Sequence, residues 1–221
     1  NITIPIEKEA FIHGALCISY SGCCLMSSML GGRSANRGEC AGCCRMPFTL
    51  MHGSEKISSG KYLLSTKELN TSSEIERLLS SSIYSFKIEG RMKSPLYVAF
   101  ITRLYRRIID KENINIEEEL DKLKTIFNRE FSLGRILNSS DKELMNIKSP
   151  NHIGLKIGKA IPKKDKIKIV LDSNRKLSQN DAIRFLNSNK GMIVNYLYDK
   201  DLKLTNKANN ICYVDNKVGL D

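Results

Sequence analysis

IYSFKIEGRMKSPLYVAFITRLYRRIID, residues 83–110, decides the fold class. Its first six residues read as a strand. Ser94 then serves as N-cap and Pro95 as first helical residue, because proline's missing N–H costs nothing there. Leu96, Tyr97, Phe100, Ile101, Leu104, Tyr105 and Ile108 keep helical spacing, and Arg103, Arg106 and Arg107 fall on the other face. The loop between strand and helix carries Lys87, Glu89, Gly90, Arg91 and Lys93 at or just past the strand end. Sites in α/β folds are built at the C-terminal ends of strands, and a helix N-terminus suits an anion. A Glu89–Arg91 salt bridge beside a well-capped helix explains the same residues, so spacing alone leaves both readings open.

Working outward, EAFIHGALCI (9–18) reads as a buried strand ending in a Gly-Ala turn. SGCCLMSSML (21–30) reads as a short helix capped by Ser21. GGRSANRGECAGCCR (31–45) is too rich in glycine for a regular element. KYLLS (61–65) is a short strand. Helices are expected over 71–81, with Glu74 and Glu76 near the positive end of the dipole, and over about 117–127. Strand-then-helix order predicts an α/β layer with parallel strands, although only about three such strands are visible, too few for a closed barrel. From SPNHIG (149–154) onward the segments become short, β-branched and separated by Asn, Asp, Gly and Lys. The expected organisation is a partial α/β domain over 1–148 and a small β-rich, barrel-like domain over 149–221.

The 221 residues are 41% hydrophobic, contain no Trp and carry a formal charge of +11. Residues 45–110 hold eleven basic side chains against six acidic, and residues 151–221 hold fourteen against seven. Two basic zones point to a polyanion such as RNA or DNA; lysines that keep a surface soluble or guard a sheet edge are the plainer explanation. No apolar run is long enough for a membrane span. Glu7, Lys8 and Glu9 interrupt the place where a secretory signal needs its apolar core, so a cytoplasmic location is expected. A start at Asn1 suggests a processed product or an excised piece. No GxSxG, HExxH, P-loop or GxGxxG pattern occurs, which leaves serine, zinc and aspartic proteases without visible support.

Cys17, Cys23, Cys24, Cys40, Cys43 and Cys44 crowd into 28 residues, and Cys212 stands alone. A disulfide-stapled domain would spread its cysteines; local metal binding explains the crowding better. Neighbouring side chains diverge, so Cys23–Cys24 and Cys43–Cys44 each offer one ligand. Four thiolates suit either zinc or a 4Fe–4S cluster, and the six-residue gap after Cys17 fits a zinc ribbon poorly. Buried, reduced cysteines acting as small hydrophobes are the remaining reading. His13 and Cys17 share a strand face and form a nominal nucleophile–base pair, but an ordinary packed histidine is the better expectation.

EAFIHGALCISYSGCCLMS (9–27) resembles the signature of the U32 peptidase family, the collagenase-like proteases, at Glu9, Phe11, Gly14, Ala15, Leu16, Cys17, Gly22, Cys24, Met26 and Ser27. RSANRGECAGCCR (33–45) resembles its second cysteine block, SFKIEGRMKSP (85–95) its strand-and-loop block, and SPNHIG its entry to a β-rich C-terminal domain. The resemblance implies an iron–sulfur protein acting in hydroxylation of bases in tRNA or rRNA. The family name implies a peptidase instead, and a non-catalytic RNA- or protein-binding module is the third reading. Carried onto this chain, the resemblance implies a 4Fe–4S cluster on Cys17, Cys24, Cys40 and Cys44, with Cys43 able to replace Cys44. Zinc is the alternative metal. Some members have a cysteine where this chain has Asn70, a departure that favours Cys44 as fourth ligand. Lys87, Glu89 and Arg91 are then expected to line the reaction pocket, with Arg91 on an anionic group such as a small anionic co-substrate. Arg37, Arg45 and Lys93 are expected to meet RNA phosphate. Family members complete a TIM-like barrel with an N-terminal stretch that this chain lacks.

Overall fold

The structure, a computed structural model, describes residues 4–20, 22–188 and 190–221. In chain order the strands are β1 (Glu9–Ala15), β2 (Phe48–His52), β3 (Glu55–Lys61), β4 (Glu68–Asn70), β5 (Ser85–Ile88), β6 (Phe131–Ser132), β7 (Gly158–Pro162), β8 (Lys166–Leu171), β9 (Leu177–Ser178), β10 (Ala182–Phe185), β11 (Lys190–Ile193), β12 (Leu197–Tyr198), β13 (Lys207–Ala208) and β14 (Ile211–Asp215). The α-helices are α1 (Met26–Gly31), α2 (Ile75–Leu79), α3 (Pro95–Ile109), α4 (Ile116–Ile126) and α5 (Asp141–Leu144). The chain divides into two compact units, residues 1–152 and 153–221.

The first unit is built on a four-stranded sheet in the order β5-β1-β4-β6. The β1–β5 and β4–β6 pairs are parallel, and the central β1–β4 pair is antiparallel. The sheet is therefore mixed, and no closed barrel forms among the described residues. The antiparallel β1–β4 pair corrects the expectation of a layer of parallel strands. Hydrophobic alternation locates a buried strand and says nothing about its direction, which depends on the connection. On the sheet, Ile12 packs with Ile75, Leu78, Tyr97, Ile101, Tyr105 and Leu123 from α2, α3 and α4.

α3 forms as its sequence dictates. The Ser94 side chain accepts from the Tyr97 N–H, Pro95 opens the helix, and Tyr97, Ile101, Leu104 and Tyr105 are buried. α4 opens on Asn115, whose side chain accepts from the Glu118 N–H, with Glu117, Glu118 and Glu119 at its positive end. Other expectations shift. KYLLS is not a strand beyond Lys61, which ends β3, and the 71–81 helix is a 3₁₀ turn followed by α2. The helix expected over 21–30 begins only at Met26, leaving Cys23 and Cys24 in the turn before it. The Ser21 cap lies outside the described residues.

The second unit is all β. Its main sheet runs β12-β14-β8-β7 with every pair antiparallel, and two short two-stranded ladders accompany it. Ile167, Ile169, Leu171, Leu177, Val194, Leu197, Cys212 and Val214 form its core. Among the described residues no helix is long and apolar enough to cross a membrane.

Candidate functional site

Three segments meet at the cysteines. Cys17 follows the C-terminal end of β1, Cys24 precedes α1, and Cys40 and Cys44 flank a turn whose last three residues, Cys43–Arg45, form a 3₁₀ helix. Cys17 and Cys40 are exposed, while Cys24 and Cys44 are half-buried. Burial pushes the Cys44 thiol up, the Arg45 guanidinium pulls it down, and Cys17, Cys40 and Cys24 push it up again. Cys17, Cys24 and Cys40 are thus electrostatic neighbours of Cys44. Cys43 Sγ lies 4.0 Å from Ser27 Oγ. Among the described residues no three Cys, His, Asp or Glu side chains converge closely enough to hold a single ion.

Ser27, almost fully buried on α1, accepts the Ala41 N–H through Oγ at 3.1 Å and so fastens the helix to the second cysteine block. The Gly42 N–H donates to Cys40 Sγ at 3.4 Å. Arg45 does the most positional work. Its guanidinium donates to Ser65 Oγ and Thr66 Oγ1, each at 2.8 Å, to the Thr66 carbonyl, and to the Leu16 carbonyl at 3.1 Å. One side chain therefore ties Cys44, its sequence neighbour, to the residue before Cys17. Arg45 is spent on protein acceptors and does not stand free at the surface as a phosphate contact would.

Arg91 makes a second clamp. Its Nη2 donates to the Gly38 carbonyl at 2.9 Å, and a Cβ at Gly38, where φ is +83°, would lie 3.1 Å from Arg91 Nη1. Glu89 sits between the clamp and β1. Its backbone N–H donates to the His13 carbonyl at 2.8 Å, and its Oε1 accepts the Arg91 N–H at 3.2 Å. Gly14 is required opposite it, since a Cβ there would stand 2.3 Å from the Glu89 carbonyl oxygen. Lys87 is not drawn to this place. It pairs with Glu9 at 2.9 Å on the exposed side of the sheet. Arg37 is exposed on the 3₁₀ turn beside Gly38.

Beneath Arg45 lies a charged network that sequence reading misses. Glu68 is fully buried and bonded to Arg129, itself 8% exposed, and Lys93 Nζ stands 3.5 Å from Glu68 Oε1. Lys93 also lies over the Phe127 ring, 3.0 Å from its centroid. Burial pulls its ammonium down to about 8, with Arg129 and Arg45 adding to the shift and Glu68 opposing it. Lys93 thus points into the protein, not out to phosphate. Glu68 Oε2, Arg129 Nε and Tyr97 Oη find no partner among the described residues. The only sequence hint was an acid and an amide in KELN (67–70) placed on an otherwise buried strand.

His13 is fully buried, and its Nδ1 lies 3.2 Å from Tyr105 Oη. That hydroxyl donates to the Ile12 carbonyl and accepts the Thr71 N–H, so its remaining lone pair takes a proton from Nδ1. Burial, helped by Lys93, drives His13 down to about 3. It is a packed core histidine and does not serve Cys17. His52 ends the exposed hairpin strand β2, and His152 stacks on Phe127. Cys212 is a core residue of the second unit, its thiol pushed up to about 11 by burial. Asn70 is 7% exposed, and its Oδ1 accepts the Ser72 N–H at 3.0 Å. A cleft of about 100 Å³ opens beside Cys17, lined by Leu16, Ile18, Thr66, Arg135 and Leu144.

The profile of Peptidase family U32 matches residues 1–146, the span that holds all six clustered cysteines and both arginine clamps. The chain belongs to peptidase family U32. Among its relatives, the 23S rRNA 5-hydroxycytidine C2501 synthase of Escherichia coli (strain K12) is 36% identical over 69% of this chain and 25% of that protein. The tRNA hydroxylation protein P1 of Bacillus subtilis (strain 168) is 38% identical over 58% of this chain and 33% of its own. A protein named collagenase from Porphyromonas gingivalis is 38% identical over 58% and 37% respectively. This U32 chain spans about a quarter to a third of the length of these relatives. No solved structure gives a significant match.

Proposed function

We propose that this U32 chain is part of an RNA-modifying protein that hydroxylates a base of tRNA or rRNA, with Cys17, Cys24, Cys40 and Cys44 holding a 4Fe–4S cluster. The observation that supports the reading is that Arg45 braces both ends of the cysteine set, with Cys17, Cys24 and Cys40 near enough to act on Cys44. Rigid support of this kind is what a ligand shell needs. A 4Fe–4S cluster takes each of four thiolates on a separate iron. Arg45, Arg129 and Lys93 surround one carboxylate, and this surplus of positive charge complements four thiolates. A bound cluster supplies electron transfer at the site.

The chain's own residues do the rest. Arg45 fastens the second cysteine block to Leu16, Ser65 and Thr66, and Arg91 fastens it to the 89–93 loop. The cleft beside Cys17 receives the target base after it leaves its stack, because chemistry on a base requires it to be exposed. Arg135 stands at that cleft, ion-paired with Asp141 at 2.9 Å, and together with exposed Arg37 offers phosphate contacts. Glu89, held by the Arg91 N–H, is the carboxylate available for proton handling, and Arg91 is the cation for an anionic co-substrate.

A peptidase reading draws on the collagenase named among the relatives. It needs a base beside a cysteine, and His13 is buried against Tyr105 while half-buried His152 accepts the Asn128 N–H and stacks on Phe127. Anaerobic purification of the full-length protein, followed by its visible spectrum and iron and sulfide content, tests the cluster. The expected result is a brown protein whose chromophore is lost in Cys17→Ser, Cys24→Ser, Cys40→Ser and Cys44→Ser and kept in Cys23→Ser, Cys43→Ser and Cys212→Ala. A colourless protein with one zinc per chain would sink the iron–sulfur assignment. For the reaction, nucleoside mass spectrometry of RNA from a deletion strain should lose one hydroxylated base. Metal-independent peptide cleavage that requires Cys17 would instead establish the peptidase.

A further inference from the structure

We propose that the outward face of the β12-β14-β8-β7 sheet, in the second unit, binds single-stranded RNA; this rests on the RNA reading above and extends it beyond the span matched by the family. The face is set by register. Directly opposed residues of antiparallel strands share a side. Leu197 opposes Val214, Val214 opposes Ile167, and Cys212 opposes Ile169, all buried, which fixes the inner side. The alternate residues form the outer rows. Tyr198 opposes Tyr213, Tyr213 opposes Lys168, and Lys168 opposes Ile161, giving one continuous row across four strands. Ile211, Val170 and Lys159 form the next row, and Asp215 and Lys166 lie on the other side of the first.

The chemistry of these rows is that of a stacking platform. Lys166 Nζ sits over the Tyr198 ring, 3.5 Å from its centroid, and is neutralised by Asp215 at 3.0 Å. Tyr198 is thereby held in place. Tyr213, half-buried beside it, has no ring contact among the described residues, and Lys168 and Lys159 have no carboxylate partner there. An aromatic ring flanked by unpaired lysines on a sheet face suits a base on the ring and phosphates on the ammonium groups. Residues 153–221 carry fourteen basic against seven acidic side chains, which favours a polyanion over a protein partner. A duplex hides its bases inside the stack, so the flat platform selects a single strand.

The test uses the full chain and a fluorescein-labelled single-stranded RNA of about 15 nucleotides, read by anisotropy against a duplex of equal length. Tyr213→Ala should weaken single-strand binding about tenfold, while Tyr213→Phe keeps the ring and the affinity. Tyr213→Leu, which preserves apolar packing without a ring, should behave as the alanine variant does; a far-UV melt checks that each variant folds. Lys159→Gln with Lys168→Gln should reduce the slope of log affinity against log salt by roughly 1.4, whereas Lys56→Gln on the hairpin leaves affinity unchanged. Unchanged affinity in Tyr213→Ala and Tyr213→Leu, equal binding of duplex, or no binding overturns the proposal. The two readings fail separately. Loss of a hydroxylated base on deletion, with Tyr213 variants binding normally, keeps the function and removes this surface. Ring-dependent binding with no lost base does the reverse.

Discussion

At the scale of single residues, buried charge and buried neutrality give opposite and measurable demands. Glu68 is fully buried against Arg129 and Lys93, so removing it strands two cations in the interior. Breaking a buried pair from one side costs about 3–5 kcal/mol. Glu68→Ala should lower the unfolding free energy by that amount in a urea titration, and a loss under about 1 kcal/mol would mean that water already reaches the network. His13 makes the complementary case. Its folded pKa is depressed from 6.5 to about 3, so between those values the unfolded chain binds the extra proton. Stability must fall as pH drops through 6.5, and this loss levels off only near 3. Between pH 6.5 and 5 the His13 term amounts to about 1.5 kcal/mol. His13→Asn, which keeps an N–H for Tyr105, should lose less stability over that interval by this margin, and identical pH profiles for the two proteins would contradict it. The Glu68 network was not legible in the sequence, whereas His13 was expected as an ordinary packed histidine; the fold adds that Tyr105, 92 positions away, is its partner.

At the scale of elements, legibility follows from how much of an element's stability is local. α3 was readable almost to the residue because Ser94, Pro95 and the apolar stripe all lie within it. The β2–β3 hairpin was not, since its strands are exposed at nearly every position and periodicity needs a buried face. The antiparallel β1–β4 pair was missed because its reason is tertiary. Thr71 Oγ1 and the Thr71 N–H both donate to the Ile12 carbonyl, a contact 59 residues long. The sequence offers the clustered cysteines only as a list; the contacts around them, Arg45 on Thr66 and Arg91 on Gly38, come with the fold. Gly14 joins these levels. Its φ of +119° and its 2.3 Å approach to the Glu89 carbonyl leave no room for a methyl group. Gly14→Ala should cost about 2–4 kcal/mol from backbone strain and overpacking together. By pushing the Glu89 loop off β1 it should also loosen the Arg91 clamp and lower iron retained per chain. Gly53→Ala is the matched control, with φ of +58° and nothing within 4 Å of the added carbon. It should carry the strain alone and retain its iron. Equal iron in both variants would mean that the 89–93 loop does not support the cysteine site.

At the scale of the whole molecule, charge and packing divide the chain in the same place. The cysteine site, its clamps and the family match belong to residues 1–152, whose core centres on Ile12, Tyr97 and Ile101. Residues 153–221 have a separate core centred on Ile167, Val194 and Leu197, each fully buried. Compact units with their own cores can lose order independently. Truncating a fully buried aliphatic side chain costs about 2–5 kcal/mol through lost transfer energy and the cavity left behind. That loss should fall on the unit that contains it. Ile167→Ala is therefore expected to speed hydrogen exchange across β8 and β14 while leaving exchange in α3 and the anaerobic visible spectrum as they were. Ile101→Ala should do the converse, opening α3 and bleaching the chromophore with β8 still protected. Exchange that rises across both units in either variant would show one cooperative structure. The visible spectrum would then no longer separate damage at the cysteine site from damage to the sheet that carries Tyr213.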